Sequence, residues 1–275
     1  MSLQPKIEQA VAALQQAERD FAPVCFANSL GAEDMVLTDL IAKLPLPNSL
    51  PMPYPQSSPA SGRGGEREKQ LLIPAGEGAN DPLREPLYPI EMFSLDTGRL
   101  PQETYDLMQE VRKRYSLPLK IYFPDCALVE AYVVQNGVNG FYDSVELRKR
   151  CCYIRKVEPL KRALAGKKAW ITGMRRDQAV TRGSLEVSSF DADHGMQKFN
   201  PLLDWTNAEV WEYIRQNDVP YNKLHDRFYP SIGCAPCTRA VTPGEDIRSG
   251  RWWWENPEGK ECGLHVGKVS QLKSS

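Results

Sequence analysis

No stretch of this sequence stays apolar for the ~20 residues that a membrane-spanning helix needs, so no membrane span is expected. Its N-terminus lacks the basic segment followed by an apolar core that marks a secretory signal, and a cytoplasmic location is expected. It also lacks an excess of either charge: 34 Lys and Arg against 35 Asp and Glu leave a net charge of −1. That excludes bulk attraction to nucleic acid or to an anionic membrane, and any cationic patch must be local. Nor are the cysteines arranged as a secreted disulfide framework. There are seven, an odd number, with two adjacent and two spaced C-x-x-C, a pattern that points to metal or thiolate chemistry instead.

What is present is enough chain for one large or two small domains with a sizeable core. Leu3, Ile7, Ala10, Val11, Leu14 and Ala17 fall at helical spacing, predicting an amphipathic helix over 3–20. Pro23 to Ala27 reads as a buried strand, followed by a small-residue loop from Asn28 to Asp34 and a helix from Met35 to Lys43. Further strands are predicted at 90–95, 119–123 and 168–173, with helices at 102–115, 126–135 and 144–164. The last of these is interrupted or ended near Pro159. A helix over 207–216 follows the N-cap Thr206. Strands alternating with helices imply an α/β fold, a mostly parallel sheet with helices on both faces and its site at the strands' C-terminal ends.

Residues 45–89 break the pattern. Prolines cluster there, followed by Ser, Gly and charge, and the stretch reads as a disordered insertion, with a Pro-rich partner-binding segment as the alternative. Because it precedes a strand, it belongs at the edge of the sheet away from the site. The expected organisation is therefore a nucleotide-binding α/β domain over 1–233, carrying that insertion, and a C-terminal segment over 234–275.

Three loops leave predicted strands at one edge: 28–34, 95–99 and 173–182. The first offers backbone N–H groups, the Ser29 hydroxyl and the close approach that Gly31 permits. The third offers Arg175, Arg176 and Arg182, whose forked donors suit phosphate or sulfate. Together they point to an anionic ligand of nucleotide size.

Adjacent Cys151 and Cys152 do not suit a mutual disulfide. With Cys234 and Cys237 they supply four thiolates, enough for a 4Fe–4S cluster or a tetrahedral zinc. Zinc more often takes two C-x-x-C knuckles, so the tandem pair favours iron–sulfur without deciding it. Arg148, Lys149, Arg150, Arg155 and Lys156 surround the pair with positive charge. Cys25 is expected in the core, and Cys126 at a helix start has no assigned role. Cys262, in a polar, Gly-containing tail, reads as a nucleophile once arginines favour its thiolate.

These residues carry a resemblance. Gly31-Ala32-Glu33-Asp34, Leu95-Asp96-Thr97-Gly98-Arg99, Arg175-Arg176-Asp177-Gln178 and the two cysteine pairs occur in an order similar to that of the assimilatory adenylyl-sulfate (APS) reductases, of the APS/PAPS reductase family. Arg248-x-x-Arg251-Trp252-Trp253-Trp254 and Glu261-Cys262-Gly263-Leu264-His265 complete the likeness, which covers nearly everything outside 45–89. It implies an adenine nucleotide α-hydrolase-like fold, a 4Fe–4S cluster on Cys151, Cys152, Cys234 and Cys237, and thioredoxin-dependent reduction of adenosine 5′-phosphosulfate to sulfite and AMP. By the same resemblance Cys262 is catalytic, forming an S-sulfo-cysteine. The substrate site implied takes Ser29, Gly31, Ala32, Glu33 and Asp34 from the first loop and Leu95, Asp96, Thr97 and Gly98 from the second. Gly173, Arg175, Arg176 and Arg182 come from the third, joined by Lys156, Arg248, Arg251 and His265. A homo-oligomer is expected, with no nucleic-acid or membrane partner. Competing readings are a PAPS reductase, a PP-loop tRNA-modifying enzyme and a zinc-stabilised interaction module.

Overall fold

A computed structural model describes residues 2–45, 89–115, 117–178 and 185–255. Helix α1 (Gln4–Phe21) presents Ala10, Ala13, Leu14 and Ala17 as a buried stripe, as its periodicity predicts. Strand β1 (Val24–Ala27) then enters the centre of the molecule, and α2 (Ala32–Ala42) follows it. Helix α2 is buried on nearly every side, which explains why it shows little amphipathic pattern. The chain continues through β2 (Ile90–Leu95), α3 (Gln102–Tyr115), β3 (Leu119–Tyr122) and α4 (Cys126–Asn136). Then come α5 (Val145–Cys152), α6 (Glu158–Leu164), β4 (Ala169–Ile171), β5 (Ser188–Asp191), β6 (Met196–Phe199) and α7 (Asn207–Gln216).

Among these residues the strands form one six-stranded sheet in the order β3-β2-β1-β4-β6-β5. All neighbours are parallel except the edge pair β5–β6. Alternation along each strand sorts side chains to two faces. Val24 and Phe26 of β1, Ile90 and Met92 of β2, and Ala169 and Ile171 of β4 pack against α1, α2, α3 and α7. Cys25, Phe93 and Trp170 point the other way, onto Leu160, Ala163 and Leu164 of α6. The expected core position of Cys25 is thus observed, and burial pushes its thiol up to about 12. Each fully buried side chain of the Phe26 or Leu14 kind contributes roughly 1.5–3 kcal/mol, so the two-faced core holds the sheet and fixes its loops.

One reading needs correction and another refinement. The polar hairpin β5–β6 was not among the predicted strands; it pairs through Ser188↔Phe199 to Asp191↔Met196 and extends the sheet beside β4. The 144–164 helix is interrupted near Pro159, as expected, but just before the proline and without ending. It widens into a π turn over Tyr153–Val157, and Pro159 stands in the first turn of α6, where its missing N–H is tolerated. Thr206 does cap α7: it forms a reciprocal capping box with Glu209.

Strand β1 lies between β2 and β4, so the chain reverses its direction of travel across the sheet there. Ligands of such sheets bind in the crevice at that switch point. The described residues that flank the Pro-rich stretch, after α2 and before β2, stand at the opposite edge, and 46–88 lie outside the described residues.

Candidate active site

At the C-terminal ends of β1, β2 and β4, the exit loops wall a single cavity of about 230 Å³. The first loop is held by its own side chains. The Asn28 carbonyl oxygen accepts the Leu30 N–H at 2.7 Å, while its amide donates to Thr38 Oγ1 at 2.9 Å. Leu30 thereby adopts φ 62°, and Gly31 caps α2. The second loop turns at Gly98, φ 70°, with its N–H on Asp96 Oδ1 at 2.7 Å.

Asp34 ties the first loop to the third. Its Oδ2 accepts the Ser29 N–H at 2.7 Å and the Ser29 hydroxyl at 2.5 Å, and its carboxylate also accepts from the Gly173 backbone. Burial raises the Asp34 carboxyl to about 7, against the hydrogen bonds that favour its ionised form. Gly173 is required by contact rather than by torsion: a Cβ there would sit 2.2 Å from Asp34 Oδ1.

A second, smaller cavity adjoins the first. Cys151 and Cys152 from the end of α5, and Cys234 and Cys237 from a 3-10 turn, all line it, together with Arg99, Arg148, Arg155 and Lys156. Phe141 and Trp252 bury its outer side. Burial pushes the Cys237 thiol up to about 12 and raises that of Cys151, so any metal centre bound there must displace protons. The four cysteines surround a cavity; among the described residues, no three His, Cys, Asp or Glu side chains converge on one metal ion. Lys156 lines both cavities. Thr97, in the wall of the first, has its hydroxyl 3.2 Å from Cys234 Sγ, and Arg155 Nη1 donates to the Thr97 carbonyl at 2.6 Å.

Of the residues expected at a substrate site, Ser29, Glu33, Asp34, Leu95, Thr97, Lys156 and Gly173 line the larger cavity. Gly31 and Ala32 start α2 behind it, and Asp96 and Gly98 shape the second loop. Arg175 and Arg176 are not in its wall. Buried Arg175 meets Glu33 Oε1 through Nε at 2.9 Å and Nη2 at 2.8 Å, and Arg176 Nε donates to Asp204 at 2.8 Å. In this arrangement they brace the loops through Glu33 and Asp204. Arg251 packs behind the cavity: a Cβ on Gly233, a wall residue, would lie 2.3 Å from its Nη2. Half-buried Arg248 donates its backbone N–H to Asp246. Arg182, Cys262 and His265 lie outside the described residues.

The model of the phosphoadenosine phosphosulfate reductase domain matches residues 23–240. The chain belongs to the APS/PAPS reductase family. It is 47% identical to the adenosine 5′-phosphosulfate reductase of Allochromatium vinosum over 256 residues, 93% of this chain and 84% of that protein. It is 44% identical to the protein of the same name from Burkholderia cepacia, over 99% and 92% of the two chains. Among solved structures, the phosphoadenylyl-sulfate reductase of Candida auris in a phosphate complex superposes with a TM-score of 0.59 at 25% identity, covering 88% of this chain and 98% of that one. A Candida glabrata FMN adenylyltransferase, at TM-score 0.50 and 14% identity over 95% and 77% of the chains, shares the fold alone.

The reductase fold also brings to the cavity residues that the sequence reading did not assign to a substrate site. Asn28, Thr172 and Gln178 supply polar groups, and Trp170 and Phe93 an apolar floor. Asn28 and Thr172 directly follow β1 and β4, so the rule placing ligands at strand C-termini was the signal available for them. Trp170 carried no such signal, because an apolar residue in a buried strand reads as core.

Proposed function

We propose that this reductase acts on adenosine 5′-phosphosulfate, releasing sulfite and AMP, with thioredoxin as electron donor. The observation that carries the reading is the shared wall. A nucleotide-sized cavity at the sheet's switch point opens beside a four-cysteine cavity, with Lys156 common to both. The names of its relatives favour APS as the substrate, and so does the presence of both cysteine pairs.

The 230 Å³ cavity takes the nucleotide, its apolar floor meeting the base and the start of α2 the phosphate. Lys156 meets the sulfonate, neutralising oxygens that would otherwise repel an incoming thiolate. The Cys262 thiolate attacks the sulfonate sulfur; an S–S bond forms, the S–O bond to AMP breaks, and AMP leaves with that electron pair. A thioredoxin thiolate then attacks Cys262 Sγ, releasing sulfite and leaving a mixed disulfide. The second thioredoxin thiol closes the thioredoxin disulfide and returns Cys262 as thiolate. The two electrons thus come from thioredoxin.

Cys151, Cys152, Cys234 and Cys237 fit a 4Fe–4S cluster: all four line one cavity, backed by cations that offset their charge. When bound, that cluster supplies a polarising charge beside the sulfonate and not the electrons. Arg99, Arg155 and Lys156 hold the balancing positive charge at its edge, the Arg148 guanidinium being neutralised by the Glu255 carboxylate.

The test is anaerobic purification with iron and acid-labile sulfide analysis, then a sulfite assay with APS, with PAPS and with thioredoxin. Cys262→Ser is expected to lose sulfite formation while keeping iron content and AMP affinity. Undiminished sulfite from that variant overturns the mechanism, and faster turnover of PAPS overturns the choice of substrate.

A further inference from the structure

Glu255 ends the described C-terminal segment with a buried carboxylate. Its side chain is 3% exposed and that of its partner Arg148 is 1%. Arg148 Nε donates to Glu255 Oε1 at 2.8 Å and Nη2 to Oε2 at 2.6 Å, so one guanidinium engages both carboxylate oxygens. Arg148 stands on α5 one turn before Cys152, and it also hydrogen-bonds that cysteine's side chain. Its guanidinium lies 4.7 Å from the centre of the Trp252 ring, which the Arg251 guanidinium also covers at 4.8 Å. The backbone of the same segment is joined to the other cysteine pair: Trp252 N–H donates to Cys237 O at 3.2 Å, and Arg239 N–H to Gly250 O at 3.0 Å. Residues 250–255 are therefore attached to both halves of the four-cysteine site.

A buried ion pair is a poor device for stability alone, since desolvation offsets most of its attraction and an apolar pair of similar volume serves as well. What the fork-to-carboxylate geometry adds is a fixed position and direction. The chain that leaves this fixed point carries Cys262 a few residues on. A thiol on a tether of defined origin spends more of its time near its target than one on a freely moving stem. We propose that the Arg148–Glu255 pair positions Cys262, by fixing against the helix of Cys151 and Cys152 the point from which the Cys262-bearing chain departs. This rests on the reading of Cys262 as the nucleophile. Both residues act through the chain and neither is assigned contact with substrate.

The test replaces the pair by apolar residues of similar size, Arg148→Met with Glu255→Leu, in the full chain. Melting temperature, iron content and AMP affinity are expected to stay at wild-type values. The expected losses are about tenfold in kcat at unchanged KM for APS, with a severalfold faster alkylation of Cys262 by iodoacetamide and unchanged alkylation of exposed Cys126. Wild-type kcat and Cys262 alkylation in a double variant with native melting overturns the proposal. So does a kcat loss that merely tracks lost iron, which would assign the pair to holding the cysteines. Should the double variant fail to fold, Glu255→Asp keeps the charge and shortens the reach; it is expected to lower kcat at constant KM, and wild-type kcat there also refutes the idea. If the wild-type protein itself makes no sulfite, the mechanism above fails. The alkylation comparison still reports whether the pair governs the thiol.

Discussion

Gly173→Ala tests whether the nucleotide loops are locked to one another through Asp34. A methyl group at 173 would lie 2.2 Å from Asp34 Oδ1, 3.3 Å from Asp34 Cγ and 3.0 Å from Glu33 Cβ. The carboxylate would have to retreat by about 1 Å, and it is not free to do so. Ser29 N–H and Oγ hold it at 2.7 and 2.5 Å, and its side chain is buried. Overpacking of this kind costs about 1–3 kcal/mol, and the strained hydrogen bonds to a buried carboxyl add about 1–3 kcal/mol more. A total near 4 kcal/mol corresponds to a fall of roughly 10 °C in melting temperature for a chain of this size. Calorimetric melting and AMP titration check both halves: stability falls, and AMP affinity falls with it because Ser29 and Gly173 share the cavity wall. The decisive comparison is a double-mutant cycle with Asp34→Ala. Once the carboxylate is gone, the severe 2.2 Å contact is gone with it and Glu33 Cβ at 3.0 Å remains, so Gly173→Ala is expected to cost under about 1 kcal/mol. An undiminished cost in the Asp34→Ala background, or a cost below about 0.5 kcal/mol in the wild type, refutes the steric argument.

Asp34 also predicts a pH dependence. Its carboxyl titrates at about 7 in the fold against 3.8 in the unfolded chain, so between those values the native state holds the extra proton. Its contribution is fully present below about pH 4 and is lost as pH rises through 7, on the order of 4 kcal/mol in all. Asp34→Asn should flatten the fall in stability between pH 5 and 7.5 seen by urea titration; an identical slope in the variant rules out Asp34 as its source. Lys156→Ala is expected to lower kcat for sulfite formation about a hundredfold, with AMP affinity within a few-fold of wild type; normal turnover removes Lys156 from the sulfonate site. Deleting residues 48–86 should leave sulfite formation intact, because the segment is anchored at the edge of the sheet away from the cavity and shortening a loop changes closure entropy only slowly. A deletion variant that folds but is inactive contradicts that placement.

The elements that could be read in advance share one property: the groups that determine them are neighbours in sequence. Helix α7 declares itself through Thr206 and Glu209, three residues apart, β1 through a continuous apolar run, and β2 through Ile90, Met92, Phe93 and Leu95 within six residues. The cysteine quartet was legible because C-x-x-C spacing and a tandem pair are themselves local patterns. The hairpin β5–β6 was not, because what buries Lys198 is a partner on another strand: its ammonium lies 4.6 Å from the Trp170 ring centre, so a charged residue occupies an interior place. The arginines show the same limit at the site. Composition marks Arg175, Arg176 and Lys156 equally as anion binders, yet Glu33, far back along the chain, and Asp204 engage the first two. Lys156 differs in standing on the π turn that follows Cys152, where a widened helix delivers its side chain to the wall between two cavities. Which cation lines the cavity is therefore decided by where the carboxylates fold to, and that is a long-range property. The same reasoning makes Glu33 the residue whose loss would release Arg175 toward the cavity. Glu33→Gln should accordingly raise the affinity for sulfate measured by competition against AMP, and unchanged sulfate affinity would show that Arg175 is held by the Trp205 carbonyl instead.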